Sequence, residues 1–354
     1  MKKANDNLKK HEIIKEEILS YIKAEGIKPG EKVPSINELI ARFRVSSTTV
    51  IRAISDLDHA GYLTKVQGKG TFLNRVEANT RPQVNMLVGK LLSFVNELMR
   101  GVEQITFEND YSLVLSNCEM SHRRIDSYLK KIFQEQAIAG LIIVPAGMSG
   151  EEESFKPVLD SGLPFVLLDK PIRGWKNVPT VLPDNTAGAG MAVEHLLDIG
   201  HKRIGFVARE PYSQYVFDMR LDGYRQALEV AGLYDPEAII LFENEKTDKL
   251  VEKLREREIT ALLALSDYDA KDIYDALKRH QIKVPQEVAI VGYDNVEMAG
   301  HLAVPLTTVA QPKYEMGVAA AEMLIDIIEK KAGTRQLVFQ PSLKIRASSG
   351  SKAG

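Results

Sequence analysis

The residues with the clearest chemical potential are an arginine, Arg220, and several carboxylates that follow runs of apolar, β-prone residues. Asp169 follows Phe165–Leu168, Asp267 follows Ala261–Leu265, and Asp294 comes shortly after Val288–Val291. Asn117 and Pro145 occupy the same kind of place after two further runs. A guanidinium among carboxylates can clamp vicinal hydroxyls, because each hydroxyl donates to a carboxylate oxygen and accepts from an N–H. An aromatic floor would complete such a polyol site; Phe94, Trp175, Tyr212, Tyr215 and Phe217 are the candidates. Patterns for bond-breaking chemistry are missing. The sequence has no Gly-x-x-x-x-Gly-Lys-Ser/Thr loop, no His-Glu-x-x-His and no Gly-x-Ser-x-Gly. Gly188-Ala189-Gly190 lacks the third glycine of a dinucleotide loop, and packing accounts for His195 and His201 at a helix end. Cys118 is the single cysteine, which excludes an internal disulfide and a Cys-based zinc site. The expectation is no catalytic residue, no metal and no cofactor.

Strand ends converge only on a particular scaffold. The strand candidates are Gln83–Val88, Ser112–Ser116, Ala139–Val144, Phe165–Leu168, Arg203–Val207, Ala238–Leu241, Ala261–Leu265 and Val288–Val291. Helical patterns such as Phe94–Asn109, Arg123–Glu135, Thr186–Ile199, Met219–Ala231, Asp269–Arg279 and Tyr314–Lys330 alternate with them. Continuous apolar strands alternating with helices predict parallel sheets covered on both faces. About 270 residues is long for one sheet, so two lobes with a cleft are expected. In such sheets ligands bind outside the carboxyl ends of the strands, where the polar residues above stand. Asp184-Asn185 reads as a helix cap, Gly200-His201 as a helix end, and the Met316–Ile328 stripe as core or dimer face.

The first 75 residues are different. They hold 14 Lys+Arg and 9 Asp+Glu, a net of +5, whereas the remainder is −7, within a whole-chain total of −2. A basic head on an acidic body suits contact with nucleic acid or membrane. Ile14, Ile18, Tyr21 and Ile22 mark one amphipathic helix, ended by Lys28-Pro29-Gly30. Ser35 with Glu38 forms a capping box for a second helix that buries Ile36, Leu39, Ile40 and Phe43. Ser46 caps a third, with Val50, Ala53, Ile54 and Leu57 inward and Ser47, Thr48, Ile51, Arg52 and Ser55 outward. Tyr62–Val66 and Thr71–Leu73 then make a hairpin about Gly68-Lys69-Gly70. This order predicts a helix-turn-helix with a wing: the third helix would enter a major groove, and the helix N-termini at Ser35 and Ser46 would face phosphates.

Residues 11–73 resemble the GntR-type winged-helix family. The matching motifs are Pro29-Gly30, Pro34-Ser35, Leu39–Phe43, Val45-Ser46, Thr49-Val50, Ala53–Leu57, Gly61-Tyr62 and Gly68–Phe72. Asn37, Ser47 and Ile51 stand where that family usually carries arginine, so Arg42, Arg44, Arg52, Lys65 and Lys69 must carry more of the contact. Residues 83–346 resemble the effector domain of LacI/GalR-type regulators, relatives of periplasmic sugar-binding proteins. Here the motifs are Asp184-Asn185-x-x-Gly188-Ala189, His195–Phe206, Arg220-x-x-Gly223-Tyr224, Val284-Pro285, Val291–Asn295, Leu306–Val309 and Gln311-Pro312. Gly89–Phe94 departs from the family's usual Asn-Pro-Phe-rich segment.

Together the resemblances imply an α/β protein, an N-terminal winged helix-turn-helix followed by a two-lobed, type I periplasmic-binding-protein-like domain. The expected divisions are 1–75, a linker at 76–82, the sensor at 83–346 and a flexible tail at 347–354. The implied function is a DNA-binding transcriptional regulator, read as a repressor, controlled by a small carbohydrate-like effector and acting as a homodimer on operator DNA. DNA contacts are expected from Ser35, Arg44, Ser46, Ser47, Thr48, Thr49, Arg52, Lys65, Lys69 and Gly70. Effector contacts are expected from Arg220, Asp294, Asp267, Phe217, Phe94 and Asp169. A purine or sugar-phosphate effector is the alternative, as is a solute-binding component without a regulatory role. The charged N-terminal stretch does not fit a signal peptide, and no apolar run reaches about 18 residues, so no membrane partner and a cytoplasmic address are expected.

Overall fold

The computed structural model describes residues 11–350 apart from 12, 16, 23, 60, 67, 75–80, 136, 211, 244–246 and 332–334. Most of the expected linker and the last four residues of the expected tail therefore lie outside the described residues. The chain forms two units, 1–81 and 82–354.

In the first unit the described residues of 11–24 form helix α1, followed by α2 (Ile36–Phe43) and α3 (Ser47–His59). Ile14, Ile18 and Ile22 of α1 meet Leu39 of α2 and Val50, Ala53, Ile54 and Leu57 of α3 in one apolar core. The capping box at Ser35 forms as the sequence predicts: the hydroxyl accepts from Glu38 N at 3.3 Å and Glu38 Oε2 accepts from Ser35 N at 2.7 Å. Strands β1 (Leu63–Val66) and β2 (Gly70–Leu73) pair antiparallel from Leu63↔Leu73 to Val66↔Gly70, which makes the wing. Gly70 sits at φ +118°, and a Cβ there would lie 2.4 Å from Lys32 Cε, so the wing's turn requires glycine.

The second unit holds two six-stranded sheets. The first lobe contains β3 (Gln83–Val88), α4 (Ser93–Glu108), β4 (Ser112–Asn117), α5 (His122–Ile132), β5 (Ile138–Val144), α6 (Glu151–Ser161), β6 (Phe165–Leu168) and β7 (Thr180–Pro183). The second contains α7 (Asn185–Asp198), β8 (Ile204–Arg209), α8 (Gln214–Val230), β9 (Ile239–Phe242), α9 (Thr247–Glu256), β10 (Ala261–Ala264), α10 (Asp267–Arg279), β11 (Ala289–Tyr293), α11 (Glu297–His301) and β12 (Thr307–Ala310). Helix α12 (Lys313–Ile328) and β13 (Gln336–Phe339) then return to the first lobe, and β14 (Ser342–Lys344) to the second.

Strand order is β13-β7-β6-β5-β3-β4 in one sheet and β14-β12-β11-β10-β8-β9 in the other, parallel throughout except β14. In both sheets the order reverses beside the first strand, which leaves a crevice at the carboxyl ends of β3 and β5 and of β8 and β10. Alternate residues of β3 divide between two cores: Val84, Met86 and Val88 face α4 and α12, while Leu87 faces α5 and α6. Helices α4 and α12 cross very closely; a Cβ at Gly317 would lie 2.1 Å from Leu98 O.

Four strands, β7, β12, β13 and β14, escape the sequence reading. They are three or four residues long and flanked by prolines and polar residues, so their pairing with neighbouring strands, not a local apolar run, defines them. The expected flexible tail also needs correction at its start. Ser348 and Ser349 are buried; Ser348 Oγ accepts from Thr307 N at 2.8 Å and donates to Ile290 O at 2.6 Å, and Ser349 Oγ pairs with Thr307 Oγ1 at 2.8 Å. Small hydroxylated residues look like tail in a sequence, yet here they satisfy the β11 and β12 backbone.

Candidate functional site

In the first unit, α3 presents Ser47, Thr48, Ile51 and Arg52 to solvent, as its inward stripe requires. Arg44, Lys65 and Lys69 are exposed too. Arg44 ends α2 in the left-handed conformation (φ 51°), which turns the chain towards α3. Thr49 corrects an expectation. It is 8% exposed, and its hydroxyl pairs with Ser46 Oγ at 2.8 Å, because position 49 falls beside the buried stripe. Ser46 also accepts from Thr49 N at 3.3 Å. At Ser35 the capping box occupies both its own N–H and that of Glu38.

In the second unit, the arginine and one carboxylate meet as the sequence suggests. Arg220, 4% exposed on α8, donates to Asn185 Oδ1 at 2.9 Å, to Leu265 O, and to Asp294 Oδ1 at 3.0 Å. Its guanidinium lies 3.5 Å over the Tyr293 ring, a cation–π contact that orients the fork. Asp294 sits at φ 102° after β11, a strained place for an aspartate, and burial raises its pKa while Arg220 lowers it. Its Oδ1 also accepts from Gln311 Nε2 at 2.8 Å, and Gln311 Oε1 is buried with no partner. That unfilled acceptor suits a hydroxyl or a water.

Asp267 behaves otherwise than expected. It is 0% exposed; Oδ2 accepts from Val296 N at 2.8 Å and Oδ1 from Thr308 Oγ1 at 2.6 Å. Burial, and secondarily the Asp294 charge, push its pKa up to about 7. Asp267 therefore pins the loop that carries Asp294 and does not reach the cleft. Asp269 is buried as well, near Arg209 (Oδ1–Nε 3.3 Å), with a pKa raised to about 6 by burial.

The facing lobe contributes Asp169, buried at φ 79° and paired with Lys170 at 2.8 Å. Lys170 also donates to Pro145 O at 2.9 Å. Burial raises the pKa values of Asp294 and Tyr215, and the Asp169 charge across the cleft adds to both. The lobes touch on both flanks. Ser93 Oγ and Tyr268 OH are 2.8 Å apart, and a Cβ at Gly147 would lie 2.3 Å from Ser213 Oγ. Lys313, 2% exposed, donates to Asp294 O at 2.7 Å and reaches Glu97 Oε1 at 3.8 Å.

The aromatic candidates separate. Phe94 is half-buried, with Lys313 Nζ 5.5 Å above its ring. Phe217 is core, edge-on to Phe206 at 5.6 Å, and Tyr212 stacks on it at 4.4 Å. Trp175 leaves the set: it packs 5.5 Å from Phe165, at the far end of β6 from the cleft. Asn117 ends the edge strand β4 and accepts from Glu119 N in its own turn. Sequence reasoning missed Lys170, Lys313 and the role of Gln311. The Gln311-Pro312 dipeptide was the available signal, but a glutamine between strand and helix carries no chemistry until its neighbours are known.

Fold and geometry together define a winged helix-turn-helix joined to a two-lobed α/β receiver with a polar cleft. Residues 10–73 match the model of bacterial regulatory proteins of the gntR family, and residues 193–349 match a periplasmic binding protein-like domain. The chain thus couples a GntR-type DNA-binding domain to a periplasmic-binding-protein-like domain. It is similar to the arabinose metabolism transcriptional repressor of Geobacillus stearothermophilus, 28% identical over 358 residues, covering 96% of this chain and 98% of that protein. Among solved structures, the transcriptional regulator CelR–cellobiose complex matches with TM-score 0.67 and 25% identity, over 86% of this chain and 91% of that one. A LacI family transcriptional regulator from Enterococcus faecium with bound ribose matches with TM-score 0.64 and 27% identity, over 77% and 100%. Among the described residues no helix is long and apolar enough to cross a membrane.

Proposed function

We propose that this protein is a transcriptional repressor whose hold on operator DNA is set by a small carbohydrate bound between the lobes. The observation that carries the effector half is Arg220 and Asp294 joined at 3.0 Å in a buried cleft, beside the unpartnered Gln311 Oε1. A sugar hydroxyl supplies both the donor that Gln311 Oε1 lacks and a further acceptor for the guanidinium. From the other lobe we assign Asp169, whose charge reaches Asp294, and the half-buried Phe94. Relatives with cellobiose or ribose bound support this class of ligand. The repressor half rests on the kinship to the arabinose metabolism repressor and on the exposed face of α3. We assign DNA contacts to Ser35, Arg44, Ser46, Ser47, Thr48, Arg52, Lys65, Lys69 and Gly70. Such a role implies a cytoplasmic address, and no catalytic activity is assigned.

A homodimer would present two heads to half-sites about 34 Å apart or a multiple of that. Effector that bridges the lobes stabilises one arrangement of the receiver, and any change in DNA affinity must be matched by an equal change in effector affinity. The test is operator binding of full-length protein with and without a panel of pentoses, hexoses and disaccharides. One sugar should change DNA affinity by about 5- to 150-fold. A DNA affinity that responds to none of them, but responds to a purine or a sugar phosphate, would replace the proposed ligand class.

A further inference from the structure

Ile51 is an aliphatic side chain left outside the core on the face of α3 that the DNA-reading role requires. It is 48% exposed, and the packing of α3 does not need it: Val50, Ala53, Ile54 and Leu57 fill the inward stripe completely. Its neighbours one turn away, Ser47 and Thr48, are exposed and hydroxylated, and the adjacent Arg52 is exposed and cationic. The same unit also exposes Arg44, Lys65 and Lys69. An aliphatic chain held among such residues against a major groove has one apolar partner there, the 5-methyl group of thymine. We propose that Ile51, with the methyl group of Thr48 three residues before it, reads a thymine in each half-site.

The consequence is a specificity written without a hydrogen bond. Ser47 and Ile51 cannot form the bidentate contact by which arginine selects guanine. The base pair under Ile51 is therefore expected to be T·A. The selectivity is modest, because one buried methyl is worth about a fourfold change in affinity.

This inference rests on the DNA-reading role proposed above, and the experiment separates the two. Full-length protein is used to select sites from a random duplex library. Each thymine of the selected half-site is then replaced singly by deoxyuridine, which deletes only the 5-methyl group. At one position the native protein should lose about fourfold in affinity, and Ile51→Ala should bind the thymine and deoxyuridine duplexes equally. Because Ile51 is exposed and alanine favours helix, that variant keeps the fold. Ile51→Arg should move the preference at the same position from T·A to G·C. A native protein indifferent to every thymine methyl would overturn the proposal, as would an Ile51→Ala variant that keeps the sensitivity. A library from which no motif is enriched would remove the DNA-reading role itself and this inference with it.

Discussion

Replacing Arg220 by alanine removes the guanidinium that donates to Asn185, to Leu265 O and to Asp294 and that stacks on Tyr293. Asp294 would keep Gln311 Nε2 at 2.8 Å but lose its countercharge while still buried. Removing one partner of a buried ion pair costs about 3–5 kcal/mol, because the other charge stays out of water. Asp294→Asn keeps the shape but leaves the buried Arg220 guanidinium without its carboxylate, a loss of the same order. In the double variant no unpaired charge remains, so its cost should fall below the sum of the singles by about 1–3 kcal/mol. Urea denaturation followed by circular dichroism gives these values. Trp175, the single tryptophan, packs partly buried against the core of the other lobe, and its fluorescence reports whether the damage spreads. Costs that add within about 0.5 kcal/mol, or an Arg220→Ala loss under about 1 kcal/mol, would refute the ion pair as the organiser of this cleft.

Other consequences follow from the same geometry. Both Arg220→Ala and Asp294→Asn should bind operator as the native protein does, yet show no shift on adding the sugar, measured by fluorescence anisotropy of labelled DNA. The raised pKa of Asp267, about 7, means that the folded state keeps a proton which the unfolded chain releases near 3.8. Its contribution is therefore most favourable below about pH 4 and is lost as pH rises towards 7; Asp269, raised to about 6, acts in the same sense. Asp267→Asn should flatten the fall in melting temperature between pH 4 and 7, since an amide can donate to Thr308 Oγ1 and accept from Val296 N. Burial pushes the Cys118 thiol up to about 11, so a thiol reagent at neutral pH should label no cysteine before denaturation and one after it. Finally, Gly223→Ala should destabilise the protein by more than about 2 kcal/mol, because its Cβ would lie 2.1 Å from Thr186 O. Gly190→Ala, with its nearest neighbour at 3.8 Å, should instead gain about 0.5–1 kcal/mol in melting experiments.

Ser35, Ser46 and the stripes of α2 and α3 were legible in the sequence because caps and helical periodicity are local properties. So were the principal strands of both lobes, whose unbroken apolar runs have no other comfortable home. Arg220 and Asp294 were legible as a pair only by chemistry and resemblance, since 74 positions separate them. Three things depended on the assembled fold. Whether a carboxylate at a strand end serves a ligand or the protein is decided by what its oxygens meet: Asp294 keeps a cleft-facing role, whereas Asp267, in an equivalent sequence position, is used up by Val296 and Thr308. Thr49 left its expected site because it falls beside the buried stripe, and Trp175 because it packs at the end of β6 away from the cleft. The crossing from β12 to α12, which brings Gln311 and Lys313 beside Asp294, shows in the sequence only as a Gln-Pro dipeptide whose neighbours the fold must supply. Local sequence sets the period, cap and turn of each element. Which buried polar groups find partners depends on residues far apart in the chain, and only the tertiary structure brings those together.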